Sequence, residues 1–191
     1  MNYHNSTFHQ RVEYYVRQVA IGDIEALSGL FDLIGQRLVR YATSVIGDQH
    51  HGEDIVQIVL TKIAMNPKVI QDRQSAWAYL LRMTRNEAIS LIRKHLNKKL
   101  LIQTDALVDI TDPDQETGND TKQQVWFALG RLPTTQREVI LLKVWEQMTF
   151  EEIAIILEIA PGTAASRYRY AMDKLRQFLS VSPVKRNCHN V

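Results

Sequence analysis

The chain has 191 residues, 45% of them hydrophobic and 23% charged, with a formal charge of +2. Such a composition excludes a disordered chain and describes one ordinary globular domain or two small ones. A single cysteine, Cys188, excludes an internal disulfide and a zinc site built on four thiolates.

The first ten residues, Met1 to Gln10, are polar and lack the apolar stretch of a secretory signal. No apolar run is long enough to cross a bilayer, so a cytoplasmic protein without membrane insertion is expected. Residues 1–10 and the stretch after Ser182 read as mobile ends with no assigned role.

Helical spacing then dominates. Leu27, Leu30, Phe31, Ile34, Leu38, Tyr41 and Val45 recur at steps of three and four, which places them on one helical face. Gly47 follows as a C-terminal cap. Ile55, Val56, Val59, Leu60 and Ile63 form a second stripe that stops at Asn66-Pro67. Trp77, Leu80, Leu81, Ala88, Leu91 and Ile92 form a third, on a helix from about Ser75 to Lys99. That helix runs out into Arg93, Lys94, Lys98 and Lys99. The stripe spacing predicts Trp77 in the core.

Between Thr104 and Asp120 the chain carries Asp105, Asp109, Asp112, Asp114, Glu116 and Asp120, without lysine or arginine, and is broken by Pro113 and Gly118. An acidic, flexible linker over 101–120 is predicted, although a solvated loop inside one domain would share this composition.

Four shorter helices are predicted beyond it, over about Lys122–Arg131, Thr135–Glu146, Phe150–Leu157 and Pro161–Leu179. Thr149 with Glu152 three residues on makes a capping box for the third. Pro161 suits the first turn of the fourth, where its missing N–H costs nothing. The last two helices fit a helix-turn-helix. Ile153, Ala154, Ile156 and Leu157 would face inward, Ile159 would plug the turn, and Ala164, Tyr168, Ala171 and Leu175 would bury the second helix. Thr163, Ser166, Arg167, Arg169, Tyr170, Lys174 and Arg176 are left for phosphates and base edges. A plain helical hairpin with a solvated basic face would share this pattern.

At this point the sequence resembles the extracytoplasmic-function (ECF) sigma factors of the sigma-70 family. The run from Met148 to Arg176, with Leu132-Pro133, Gln136-Arg137-Glu138 and Leu141-Leu142 before it, looks like their C-terminal DNA-binding domain. Gly22-Asp23, Ala26-Leu27, Leu30-Phe31 and Arg40-Tyr41-Ala42 look like the start of their first domain. Glu53-Asp54-Ile55-Val56-Gln57 looks like their polymerase-binding helix. Ala76-Trp77, Leu81-Arg82 and Arg85-Asn86-Glu87-Ala88-Ile89, ending in Arg93-Lys94, look like their melting and −10 recognition helix. The resemblance spans about residues 12 to 180.

The resemblance implies an all-α protein of two small helical domains. Residues 1–100 would bind core RNA polymerase and the −10 element, residues 101–120 would be the acidic linker, and residues 121–182 would read the −35 element, with a tail over 183–191. Glu53, Asp54 and Gln57 would dock on the polymerase clamp helices; without the resemblance they read as a solvated acidic face. Tyr79, Arg82, Arg85, Asn86, Arg93 and Lys94 would contact the −10 element, with aromatics stacking on unpaired bases and cations following the backbone. Thr163, Ala165, Ser166, Arg167, Arg169 and Tyr170 would contact the −35 element. The linker would lie toward the RNA exit path, its charge imitating nucleic acid. An anti-sigma factor is a further partner common in that family. No cofactor, metal or catalytic residue is implied.

The sequence departs from the pattern in places. Glu158 stands at a turn position where relatives often have Gly. Ala164 and Ala165 replace the usual valine and a polar or basic residue. Tyr170 replaces a frequent arginine, and Tyr79 a frequent Trp.

Two rival readings share parts of this pattern. A helix-turn-helix regulator that acts without polymerase explains the second half but gives Glu53, Asp54, Gln57 and the aromatic-basic helix no purpose. An enzyme is disfavoured: His50-His51-Gly52-Glu53-Asp54 has metal-ligand residue types, but adjacent histidines do not share a helical face. No phosphate-binding Gly-rich loop or nucleophile elbow is present.

Overall fold

A computed structural model describes residues 3–71, 75–98 and 120–181. Every regular element among them is helical. The elements are α1 (Tyr3–Ala20), α2 (Glu25–Ile46), α3 (Gln49–Met65), α4 (Lys68–Gln71), α5 (Ala76–Lys98), α6 (Asp120–Gly130), α7 (Thr134–Ile140), a π-helical segment (Leu141–Trp145), α8 (Phe150–Leu157) and α9 (Pro161–Val181). The acidic stretch before Asp120, the lysine at 99 and the tail after Val181 lie outside the described residues.

α1 corrects the expectation of a mobile N-terminus, because residues 3–10 belong to a helix. Phe8, Val12, Val16 and Val19 recur at steps of four and three and are buried. Phe8 meets the Trp77 ring edge-on at 5.1 Å. Glu13 Oε1 accepts the Ala76 backbone N–H at 2.9 Å, so α1 caps the start of α5.

Turn chemistry fixes how α2 and α3 fold back on each other. Asp23 Oδ1 accepts from the Glu25 and Ala26 backbone N–H groups at 3.0 and 3.2 Å and starts α2. Gly47, with φ 85°, ends it in the left-handed region that glycine adopts without strain. Asp48 then caps α3 through the His51 N–H at 2.8 Å, and that bond holds the Asp48 carboxyl below its usual range. A β-carbon on Gly52 would come within 2.5 Å of Thr43 Oγ1, so a larger residue would push α3 off α2. Leu30, Ile34 and Leu38 of α2, Ile55, Val59 and Ile63 of α3, and Trp77, Leu80 and Leu81 of α5 meet in the core these helices enclose. Each large aliphatic side chain buried there stabilises by about 1.5–3 kcal/mol. Phe31, expected on the buried face, is 47% exposed.

The C-terminal helices have a smaller core of their own around Trp126, Leu129, Leu132, Ile140, Ala171 and Leu175. Their other face is continuous with the N-terminal core: Val139, Leu142, Met148, Ile153, Ile156 and Leu157 join it. The two halves are therefore docked through α2 and α5 on one side and α7 and α8 on the other.

The predicted helix over Thr135–Glu146 differs from the observed course. After Ile140 the backbone widens into the π segment, with Glu146 N–H bonded to Leu141 O at 3.1 Å. Val144, within that segment, is 46% exposed. Gln147, at φ 54°, turns the chain toward α8.

Candidate nucleic-acid and polymerase interfaces

Three surfaces carry the candidate residues. On α3, Glu53, Asp54 and Gln57 are exposed on a helix whose opposite side, through Gly52, Ile55, Val56 and Val59, is buried. Gln49 Nε2 donates to Glu53 Oε1 at 3.1 Å. This patch presents carboxylates and an amide to solvent, a set suited to accepting from arginines.

On α5, Trp77 is buried as its spacing predicts, and its indole N–H donates to Glu146 Oε2 at 3.1 Å. Tyr79 is half-buried, whereas Asn86, Arg93 and Lys94 are exposed. Arg82 and Arg85 are engaged by the C-terminal half. Arg82 Nη2 lies 2.8 Å from Glu158 Oε1, and Arg85 Nε lies 2.8 Å from Glu138 Oε1. Glu138 also accepts from the Tyr41 hydroxyl at 3.4 Å. Burial pushes the Glu138 carboxyl up, with Arg85 opposing the shift. Burial and the neighbouring Glu138 push the Tyr41 phenol up too, so it stays neutral.

The helix-turn-helix is built on local signals. Thr149 and Glu152 form the reciprocal capping box of α8. α8 ends at Glu158, a non-glycine residue in the left-handed region at φ 56°, and Ile159 N–H closes the turn on Ala154 O at 3.0 Å. α9 begins at Pro161. Ala164, Ala171 and Leu175 are buried and Tyr168 packs edge-on against Phe150 at 5.8 Å. Thr163, Arg169 and Tyr170 are exposed, with the Arg169 guanidinium 5.6 Å from the Tyr170 ring centre. Ala165, Ser166 and Arg167 are only partly exposed.

Sequence reasoning missed the residues that join the halves. Arg137, 2% exposed, donates to the carbonyls of Leu129, Gly130 and Leu132 near the end of α6 and to Ser44 O of α2, at 2.8 to 3.3 Å. Burial lowers its pKa to about 10, which still leaves it charged at neutral pH. Glu146, 5% exposed, accepts from Arg37 Nη1 at 3.2 Å besides Trp77. Burial raises its carboxyl, with Arg37 the main opposing charge. Arg37 in turn sits 3.8 Å above the Phe8 ring, so α1 supports the same cluster. Among the described residues no group of three His, Cys, Asp or Glu side chains could hold a metal ion, and no helix is long and apolar enough to cross a membrane.

The Sigma-70 region 2 family matches residues 30–97, and the Sigma-70 region 4 family matches residues 122–175. The ECF RNA polymerase sigma factor SigL of Mycobacterium tuberculosis is 30% identical over 174 residues, which cover 90% of this chain and 98% of that one. The ECF RNA polymerase sigma factor SigW of Bacillus subtilis is 25% identical, covering 86% and 94% respectively. The sigma factor RpoE from Bartonella quintana, solved in complex with the anti-sigma factor NepR, superposes with a TM-score of 0.68 at 27% identity, covering 84% of this chain and all of that one. CnrH, solved with the cytosolic domain of CnrY, shares the fold at a TM-score of 0.65 and 23% identity.

Proposed function

Because the chain belongs to the ECF RNA polymerase sigma factors of the sigma-70 family, we propose how its surfaces divide the work of that family. The protein binds core RNA polymerase and promoter DNA and directs promoter-specific initiation of transcription. It is a regulatory initiation factor; the polymerase performs the chemistry.

Residues 1–100 form the unit that docks on core polymerase through Glu53, Asp54 and Gln57 and captures the −10 element with α5. Tyr79 offers a stacking face, Asn86 can read the edge of an extruded base, and Arg82, Arg85, Arg93 and Lys94 follow the backbone. Residues 121–182 form the unit that reads the −35 element with Thr163, Ala165, Ser166, Arg167, Arg169 and Tyr170 of α9. Residues 101–120 tether the two, so engagement of one element raises the effective concentration of the other unit. No role is assigned to the tail over 183–191. An anti-sigma factor such as the one bound to the Bartonella relative is the expected regulatory partner, and the cytoplasm is the site of action.

The observation that supports this reading best is the order of the surfaces: an exposed acidic patch, an aromatic-basic helix and a capped helix-turn-helix follow one another along the chain as regions 2 and 4 do. Run-off transcription with purified bacterial core polymerase on fragmented source DNA tests it. New discrete transcripts that vanish when the protein is omitted are expected. Tight duplex binding without transcripts would instead favour a regulator that works without polymerase.

A further inference from the structure

α1 lies ahead of residue 30, where the match to Sigma-70 region 2 begins, yet it reaches α5 by a polar contact as well as by packing. The first N–H groups of an α-helix have no partner within it. At the start of α5, Ser75 Oγ accepts the Ala78 N–H at 3.3 Å, and the Tyr79 N–H makes a backbone bond to Ser75 O at 3.1 Å. The Ala76 N–H is taken from 63 residues away, by Glu13 Oε1 at 2.9 Å. A carboxylate there also sits favourably at the positive end of the α5 dipole. α1 is fixed in the rotation that aims it. Val12 and Val16 bracket Glu13 in sequence and are buried, and Phe8 meets Trp77 edge-on beneath the Arg37 guanidinium. Ala76 and Trp77 lie in the apolar core, so closing the seam between α1 and α5 does not need a carboxylate. What Glu13 adds is a fixed direction for the backbone of the first turn. That turn leads into Tyr79, whose half-buried side chain packs at the margin of the core.

We propose that Glu13 is a positioning residue for base capture: by capping α5 from α1 it keeps the first turn of that helix wound, and so holds Tyr79 where an unpaired base stacks on its ring. The proposal rests on reading Tyr79 as a stacking face for single-stranded promoter DNA. A ring already held in place loses less freedom when a base settles on it, so the cap contributes to DNA affinity without touching DNA. Ser75 supports the same turn from within α5, and Glu13 supports it from a separate helix. α1 is thereby part of the DNA-capturing apparatus, although it precedes the segment that matches region 2.

The test uses holoenzyme assembled from the full chain and bacterial core polymerase. The probe is a fluorescent mixed-sequence single-stranded DNA, and core polymerase alone is the blank. Tyr79→Ala should weaken binding about tenfold, the scale of one lost base stack. Glu13→Ala should weaken it about fivefold, as for a lost helix cap. Glu13→Gln keeps an oxygen that can accept the Ala76 N–H, and should cost no more than about twofold, the scale of the lost charge at the helix end. None of the three should alter affinity for core polymerase or for a mixed-sequence duplex. In the Tyr79→Ala background Glu13→Ala should have no further effect, a dependence that general loosening of the fold would not produce. Ser75→Ala removes the local cap, should act in the same direction, and carries the test if Glu13→Ala does not fold. If Tyr79→Ala weakens single-strand binding but the folded cap variants do not, or if the effects add in the double variant, the proposal alone is overturned. A Tyr79→Ala protein that binds the probe as well as the parent removes Tyr79 as a stacking face and overturns that reading together with the proposal.

Discussion

The Arg85 guanidinium meets the Glu138 carboxylate at 2.8 Å across 53 residues of sequence, with the arginine side chain 16% and the glutamate 3% exposed. Neither is a surface ion pair of the kind that contributes little. The glutamate has left water almost completely, and Arg85 and Tyr41 compensate that loss.

Removing one partner therefore leaves the other stranded. Glu138→Ala should lower stability by about 3 kcal/mol, the scale for breaking a buried pair from one side. Urea denaturation followed by circular dichroism checks this. An Arg85→Met, Glu138→Leu double variant should recover much of the loss, because an apolar pair of similar volume needs no compensation. Recovery close to zero would mean that Tyr41 or Arg167 depends on the carboxylate more than Arg85 does.

Arg137 should tolerate no replacement by lysine. Its planar fork satisfies carbonyls from α2, α6 and the turn after it, directions that a single ammonium cannot reach together. Arg137→Lys should cost about 2 kcal/mol or more, comparable to leaving a buried acceptor or two unpaired. The expected sign in thermal melts is a lower Tm, with Thr135→Ser, on the same helix, as a neutral control.

The pH response can be followed at His9. Burial lowers its pKa from 6.5, opposed by Glu152 and Glu13 and aided by Arg37. A depressed folded pKa means that its contribution to packing α1 is present above pH 6.5 and lost as pH falls through the lower folded value. Glu138 and Glu146 act with the opposite sign: both are raised above 4.5, so their contribution is largest below pH 4.5 and is lost as pH rises through their folded values. Because the two trends oppose each other in global melts, NMR titration of the His9 ring is the suitable measurement. A midpoint below 6.5 is expected. A midpoint at or above 6.5 would show that Glu152 and Glu13 outweigh burial.

Two exposed residues separate binding from folding. Asp54→Ala should weaken affinity for core polymerase about tenfold or more, the scale of a charge-assisted hydrogen bond, without changing Tm. Arg169→Ala should leave core affinity intact and weaken promoter binding by about 1–3 kcal/mol, the scale of one base or phosphate contact. Filter binding with and without polymerase distinguishes them. Unchanged core affinity in the Asp54 variant would remove that patch from the polymerase interface.

Local signals made the reading possible where it succeeded. The Thr149–Glu152 box, Gly47 and Pro161 are determined by neighbours a few residues away, and α2, α3 and α5 show uninterrupted apolar stripes. α1 had a legible stripe as well, Phe8, Val12, Val16 and Val19, but polar ends are easily read as loose chain. The docking of the halves was not legible. It depends on Glu138, Glu146 and Arg137, charged residues that pattern reading places in water, and on partners as far as 109 residues away. For the same reason Arg82 and Arg85 read as free cations, while the structure shows them occupied.

The π segment at Leu141–Trp145 has a consequence for how this chain length is tolerated. A π turn holds one residue more than the α turn it replaces, and each residue of an α-helix corresponds to about 100° of rotation. The segment thus acts as a phase shifter between α7, anchored by Arg137, and everything after it. Deleting one residue there would restore regular winding and swing Glu146 away from Trp77 and Arg37, carrying the helix-turn-helix to a new azimuth. A deletion of this kind would re-aim an intact reading head, a change that no substitution on α9 itself could produce.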